Sequence, residues 1–316
     1  MKTLKSLVGT QTLAGLLLIA AMLCGLAVRA DAAAGPSCYG YPSGYLCNYT
    51  CGLRTNCPAN ARCAISAPSS QSNYPVLICT PGSYYLNANL SVTSKTSGVD
   101  AVDFDFYSSN VILDLHGHTV SGPGNVTGYN GSGIYDQFGA TDYDAVINNT
   151  GTGKVQNFPL YGVSLGGNAD VENLSVTNNG FAGIDVGSYS RVIGNTTTSN
   201  GGGPLYSTLP GISTANDCLI YGNFANSNAG DGIDTPGSTA GSNVDTNQAE
   251  SNGGYGLDLG GTYTGFGGNT TGDTTGTGAN TLGCVLPDPG KGNAPYAVSM
   301  LTNTCGVHTG YGPDQP

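Results

Sequence analysis

Apolar residues along this chain come as short Val, Ile and Leu runs between Gly- and Asn-rich clusters. Gly183-Ile184-Asp185 and Gly256-Leu257-Asp258 are typical, with one apolar residue set between small or polar ones. Runs this short, punctuated by turn residues, predict β-strands rather than helices. The runs also repeat. Asn173 to Asn178, Asn195 to Asn200, Asn223 to Asn228 and Asn247 to Asn252 each place two asparagines five residues apart, and the units recur after 22, 28 and 24 residues. A second marker keeps phase with the first: Gly133-Ile134, Gly162-Val163, Gly183-Ile184, Gly211-Ile212, Gly232-Ile233 and Gly256-Leu257. Two columns in register, with coils of unequal length, predict an all-β parallel solenoid.

Stacked coils place equivalent residues above one another. Asparagines at one turn can then hydrogen-bond from coil to coil and satisfy buried amides, which predicts a ladder containing Asn173 and Asn195 and leaves these two sequons unavailable for glycosylation. Val171, Val192, Leu219 and Val244 are expected to stack in the core, as are Ile184, Ile212, Ile233 and Leu257.

Composition agrees with this. Glycine fills 51 of 316 positions and charged residues only 9%, which removes helical folds, while 39% hydrophobic residues and 19 tyrosines argue against disorder. A net charge of −11 with no run of basic residues makes nucleic acid an improbable partner. Lys2 and Lys5, an apolar stretch from Leu13 to Val28 and small residues near Ala30 and Ala32 read as an export signal over residues 1–32. The mature chain is then expected to be secreted or periplasmic, monomeric and free of the membrane. Export makes disulfides the default state of its cysteines. Cys38, Cys47, Cys51, Cys57, Cys63 and Cys79 crowd into one segment, so residues 33–80 are read as a stapled N-terminal cap. The solenoid occupies 81–283, and 284–316 form a C-terminal cap or tail fastened by Cys284 and Cys305. Cys218, the odd one, sits in an apolar stretch and reads as a buried inert thiol.

Pro81-Gly82-Ser83-Tyr84-Tyr85-Leu86, followed by Asn110 to Leu115 and His116-Gly117-His118-Thr119-Val120, resembles the opening coils of exported bacterial β-helix repeat proteins of the pectin-lyase-like superfamily. The resemblance spans about residues 80–280 and implies a right-handed parallel β-helix. Such proteins include lyases, hydrolases, epimerases, metal-delivery factors and structural members, so it implies an extracellular polysaccharide as partner without fixing a reaction. The polygalacturonase-like, pectate-lyase-like and alginate-epimerase-like signatures are all missing. The alternative reading is a non-catalytic extracellular structural or adhesive protein.

Candidate chemistry gathers on acidic residues. In the Gly-Ile-Asp units the apolar neighbours point inward, so Asp185, Asp234 and Asp258 are expected to point outward on one sheet, with Ser164 and Ser213 on intervening rungs. Such a column supplies carboxylate pairs at the separations glycosidic cleavage uses. It equally supplies a solubilising surface. Calcium is a third reading, with Asp231, Asp234 and Asp258 as hard oxygen ligands. Arg191 is the expected basic partner, with Lys154 as the other candidate and Tyr206 and Tyr255 as proton donors. His116 and His118 share a strand face with Asp114 and suggest zinc or copper. Tyr135, Tyr161, Tyr189, Tyr206, Tyr255 and Tyr263 are candidate sugar-stacking rings, and the long loop from Gly201 to Pro210 a candidate groove wall.

Overall fold

The computed structural model describes residues 61–93, 98–104, 110–124, 130–136, 143–204, 207–235, 241–259, 265–272 and 280–281, with the backbone of two further strands, Gly283–Pro287 and Thr304–Cys305. These residues form a right-handed parallel β-helix. Each full coil carries three strands, illustrated by Ile184–Val186 in sheet 1, Arg191–Ile193 in sheet 2 and Thr196–Thr198 in sheet 3. Every sheet has nine strands, each paired in parallel with its counterpart in the neighbouring coils. Among the described residues the helical content is one 3-10 turn, Gln71–Asn73.

The core follows from stacking. Ile184 pairs with Ile212, Ile212 with Ile233 and Ile233 with Leu257, all fully buried, as the sequence predicts. Burying each such side chain contributes about 1.5–3 kcal/mol. The valine column needs one correction: Val171 and Val192 are followed by Ile220, then Val244, whereas Leu219 pairs with Arg191 and Asn243 and faces outward. Cys218, Leu219 and Ile220 are consecutive apolar residues, so a period of two cannot choose between them. The choice falls to the corner before the strand, where Cys218 is buried.

Two asparagine ladders run along the solenoid, one at each end of the sheet 3 strands. In the first, Asn195 Nδ2 donates to Asn223 Oδ1 (3.1 Å) and to the Val171 carbonyl (2.8 Å), and Asn223 and Asn247 repeat the pattern up to Asn269. The second runs through Asn179, Asn200, Asn228, Asn252 and Asn280. Each rung also accepts the backbone N–H of its counterpart one coil earlier, as Asn223 Oδ1 does from Asn195 (2.9 Å). Asn173 stands outside the ladder. It is exposed at φ 59, in the turn position held by Gly194 (φ 66) and Gly222 (φ 65), while Leu174 occupies the ladder position and donates its N–H to Asn195 Oδ1. The first unit is thus shifted by one residue, to Leu174 and Asn179.

The marker glycines have a steric cause. A Cβ on Gly183 would lie 2.7 Å from Asn200 Nδ2 and 2.8 Å from the Gly211 carbonyl, and Gly211 and Gly232 face Asn228 and Asn252 in the same way. The two sequence columns keep phase because they touch.

A third, mixed ladder holds the corner between sheets 1 and 2. Val111 N–H donates to Asp144 Oδ1 (2.7 Å), Ala169 N–H to Ser190 Oγ (3.0 Å) and Cys218 N–H to Ser242 Oγ (3.1 Å). The Cys218 thiol donates to the Gly187 carbonyl (3.3 Å), and burial pushes its pKa up, as an inert thiol requires. Cys63 and Cys79 are each disulfide-bonded. The signal segment, the other cap cysteines and the side chains of Cys284 and Cys305 lie outside the described residues. Among those described, no helix is long and apolar enough to cross a membrane.

Candidate functional site

The outer face of sheet 1 carries a single column. Register pairs Asp103 with Tyr135, Tyr135 with Ser164, Ser164 with Asp185, Asp185 with Ser213, Ser213 with Asp234 and Asp234 with Asp258. Asp185, Asp234 and Asp258 are therefore brought together as the sequence predicts, with Ser164 and Ser213 between them. Adjacent rungs lie about 4.8 Å apart, so Asp234 and Asp258 are neighbours and Asp185 and Asp234 stand roughly 10 Å apart at the backbone. Each of these carboxylates is half-buried between inward-facing apolar neighbours.

Burial governs the electrostatics here. It pushes the Asp185 carboxyl above its ordinary range, opposed by a hydrogen bond from Ser213. Before the strand that bears Asp103, Asp100 is pushed up to about 7 by burial, even though its carboxylate accepts the Ser132 N–H. Tyr135 is raised first by burial and then by the charges of Asp100, Asp103, Asp136 and Asp185, so its hydroxyl stays protonated. Burial therefore favours the protonated form of Asp185 on this face.

Other predicted partners lie elsewhere. Arg191 belongs to sheet 2, where it donates to Asp170 (3.1 Å) and reaches Glu172 (3.4 Å), so it does not face the aspartate column. Lys154 lies in sheet 3, beside Thr119 and Ser175. Asp231 Oδ1 is engaged by the Tyr255 N–H (2.6 Å), the role Asp100 plays for Ser132. Among the described residues no group of three His, Cys, Asp or Glu side chains is placed to hold a metal ion. The histidines diverge: His116 sits near Thr150 (3.2 Å) and His118 near Asn89 (3.3 Å). Asp114 is spoken for. Burial opposes its ionisation, but the His116 and Asn149 N–H groups, Arg62 (2.6 Å) and the Asn149 amide outweigh that and hold its pKa below the usual range. Tyr206 and Tyr263 lie outside the described residues.

Sequence reasoning missed Asp100 and Asp103. Ala101-Val102-Asp103 is the Gly-Ile-Asp unit with alanine in the glycine place, since Val102 pairs with Ile134 and Asp103 with Tyr135.

No protein-family model matches the chain, and no curated protein does. Among solved structures it is similar to full-length tailspike protein 2 of Escherichia coli O157:H7 bacteriophage CAB120, at 14% identity and a TM-score of 0.47, covering 67% of this chain and 31% of that one. The chain thus spans about a third of the tailspike. It is also similar to the A-module of the Azotobacter vinelandii mannuronan C-5 epimerase AlgE4, at 14% identity and a TM-score of 0.46, covering 78% of each chain. The three-sheet coil of parallel strands is the parallel β-helix that the sequence predicts.

Proposed function

We propose that the outer face of sheet 1 binds and hydrolyses an extracellular neutral polysaccharide, with Asp185 as general acid and Asp234 as general base. The observation that carries this reading is the single outward column in which Asp185, raised by burial, is separated from Asp234 by the Ser213 rung. A carboxylic acid that keeps its proton can protonate a glycosidic oxygen. A second carboxylate about two rungs away can take a proton from a water attacking the anomeric carbon from the opposite face, the inverting arrangement. Asp258, one rung further, is placed to hold a sugar hydroxyl.

Charge selects the polymer. Between Lys95 and Lys291 the sequence holds two Lys or Arg residues, Lys154 and Arg191, and they belong to sheets 3 and 2. A polyuronate on the acidic face would meet uncompensated repulsion, which favours a neutral glycan and hydrolysis over a lyase or epimerase acting on uronates. An export signal and a cysteine-stapled N-terminal cap belong to the same extracellular reading.

Reducing-end release from a panel of neutral glycans and uronates tests the proposal. Turnover of a neutral polymer is expected, with the anomeric configuration inverted in NMR of the first product. Asp185→Asn and Asp234→Asn should each abolish it without lowering the melting temperature. A panel on which the protein neither releases reducing ends nor binds would overturn the reading and leave the structural or adhesive alternative.

A further inference from the structure

A second feature lies away from the aspartate column, at the corner where each coil passes from sheet 1 to sheet 2. The sheet 2 register stacks Ile112, Ala145, Asp170, Arg191 and Leu219. Two residues before each of these stand Asn110, Tyr143, Asn168, Tyr189 and Asp217, one per coil. Backbone hydrogen bonds extend the pairing into the corner, from Asn168 N–H to Ser188 O (2.8 Å) and from Tyr189 N–H to Asn216 O (2.9 Å).

Among the described residues, Tyr143 and Tyr189 are the most exposed of the large apolar side chains, at 64% and 65%. They sit two rungs apart in one column, about 10 Å at the backbone. Asn168 lies between them and Asp217 one rung beyond, both half-exposed. Tyr189 also adopts φ 63, a left-handed conformation that its column otherwise gives to Asn110 (φ 64), Asn168 (φ 57) and Asp217 (φ 56). Asparagine and aspartate tolerate that region, whereas a bulky ring is strained in it, and strain of this kind persists where the surroundings enforce it. The Ser190 and Cys218 rungs of the mixed ladder clamp this corner from inside. An exposed aromatic ring held in an unfavourable backbone conformation, when an asparagine would fit, asks for a reason outside the fold.

We infer that Tyr143 and Tyr189 form a two-ring platform on which an extended polysaccharide lies along the solenoid axis, each ring stacking on every second sugar unit. Two rungs match the span of two pyranose units in an extended chain. The intervening Asn168 amide and the flanking Asp217 carboxylate meet sugar hydroxyls, so flat apolar faces alternate with hydrogen-bonding groups as they do along the polymer. The ligand class rests on the polysaccharide reading above, but the platform uses none of the sheet 1 aspartates. It would retain the polymer independently of its cleavage.

Retardation in native gels containing a soluble β-1,4-glucan, a xylan or an alginate tests this on the full chain, with melting temperatures measured in parallel. The unaltered protein should be retarded by a neutral polymer. Tyr143→Ala and Tyr189→Ala should each weaken retention several-fold, the double variant should weaken it further than either, and Tyr189→Phe should keep it. Tyr189→Asn should weaken retention as Tyr189→Ala does while melting higher than the unaltered protein, an outcome that misfolding cannot mimic. Full retention by the double variant overturns the platform alone, whereas no retardation of the unaltered protein by any polymer overturns the polysaccharide reading and the platform with it.

Discussion

Asn200 Nδ2 occupies the space that any side chain at position 183 would need, 2.7 Å from where a Cβ on Gly183 would stand. The neighbouring Gly211 carbonyl, at 2.8 Å, closes the other side. Neither can move without pulling a ladder rung from its partners. Gly183→Ala is therefore expected to destabilise the protein by about 1–3 kcal/mol. Gly222, at φ 65 with nothing within 4 Å, is the control: Gly222→Asn should be close to neutral, because Asn173 already fills the same turn position. Urea denaturation of both variants gives the comparison.

Asn223 satisfies three buried partners at once. It accepts the Asn195 N–H (2.9 Å) and donates to the Val192 carbonyl (2.8 Å) and to Asn247 (3.0 Å). Asn223→Leu strands these groups and should lower unfolding free energy by roughly 2–4 kcal/mol. Asn173→Gly, outside the ladder, should change it by less than about 0.5 kcal/mol. Equal losses for the two would mean that the ladder contributes nothing.

Asp100 predicts a pH dependence. Its folded pKa, about 7, lies above the ordinary 3.8, so between those values the folded chain holds a proton that the unfolded chain has lost. Stability from this group is complete below pH 3.8 and is lost as pH rises through about 7, by no more than ~4 kcal/mol. Asp185, also raised, adds to the same trend. Asp114 has the opposite sign: its lowered pKa contributes above the unfolded value and is lost as acid protonates it. Denaturation midpoints should fall from pH 4.5 to pH 8, and Asp100→Asn should flatten that fall.

Cys218→Ser should be silent. Ser190 and Ser242 occupy the neighbouring rungs of the mixed ladder, where their oxygens accept the N–H of Ala169 and of Cys218 from the preceding coils. A melting temperature within a few degrees of the parent is expected, and the native thiol should resist alkylation until the protein unfolds.

The sheet 1 column was legible because a glycine, an apolar residue and an aspartate fix both phase and face. Where three apolar residues run together, as at 218–220, phase was lost and Leu219 was taken for its inward neighbour. Asn173 misled for a related reason. It and Asn195 look equivalent in sequence, but the turn position accepts asparagine or glycine, so identity of residue type did not imply identity of place. Asp103 stayed hidden because the coil from Val102 to Ile134 is 32 residues long, beyond the spacing of the clearer repeats. Arg191 failed as a partner of the aspartates because alternation along a strand says which way a side chain points, not which of three sheets bears the strand.

In three coils, Asn195 to Asn200, Asn223 to Asn228 and Asn247 to Asn252, the side carrying sheet 3 is measured out by the same five residues. Yet second-ladder rungs are separated by 21, 28 and 24 residues along the chain. One side of the coil is a ruler and another is adjustable. The extra length around 201–210 enters just after Asn200 and rejoins the stack at Gly211, with both ladders unbroken across it. A foreign peptide spliced between the exposed Ser207 and Thr208 would leave the stack from a known corner while every rung above and below kept its address, which turns the solenoid into a graduated scaffold for display.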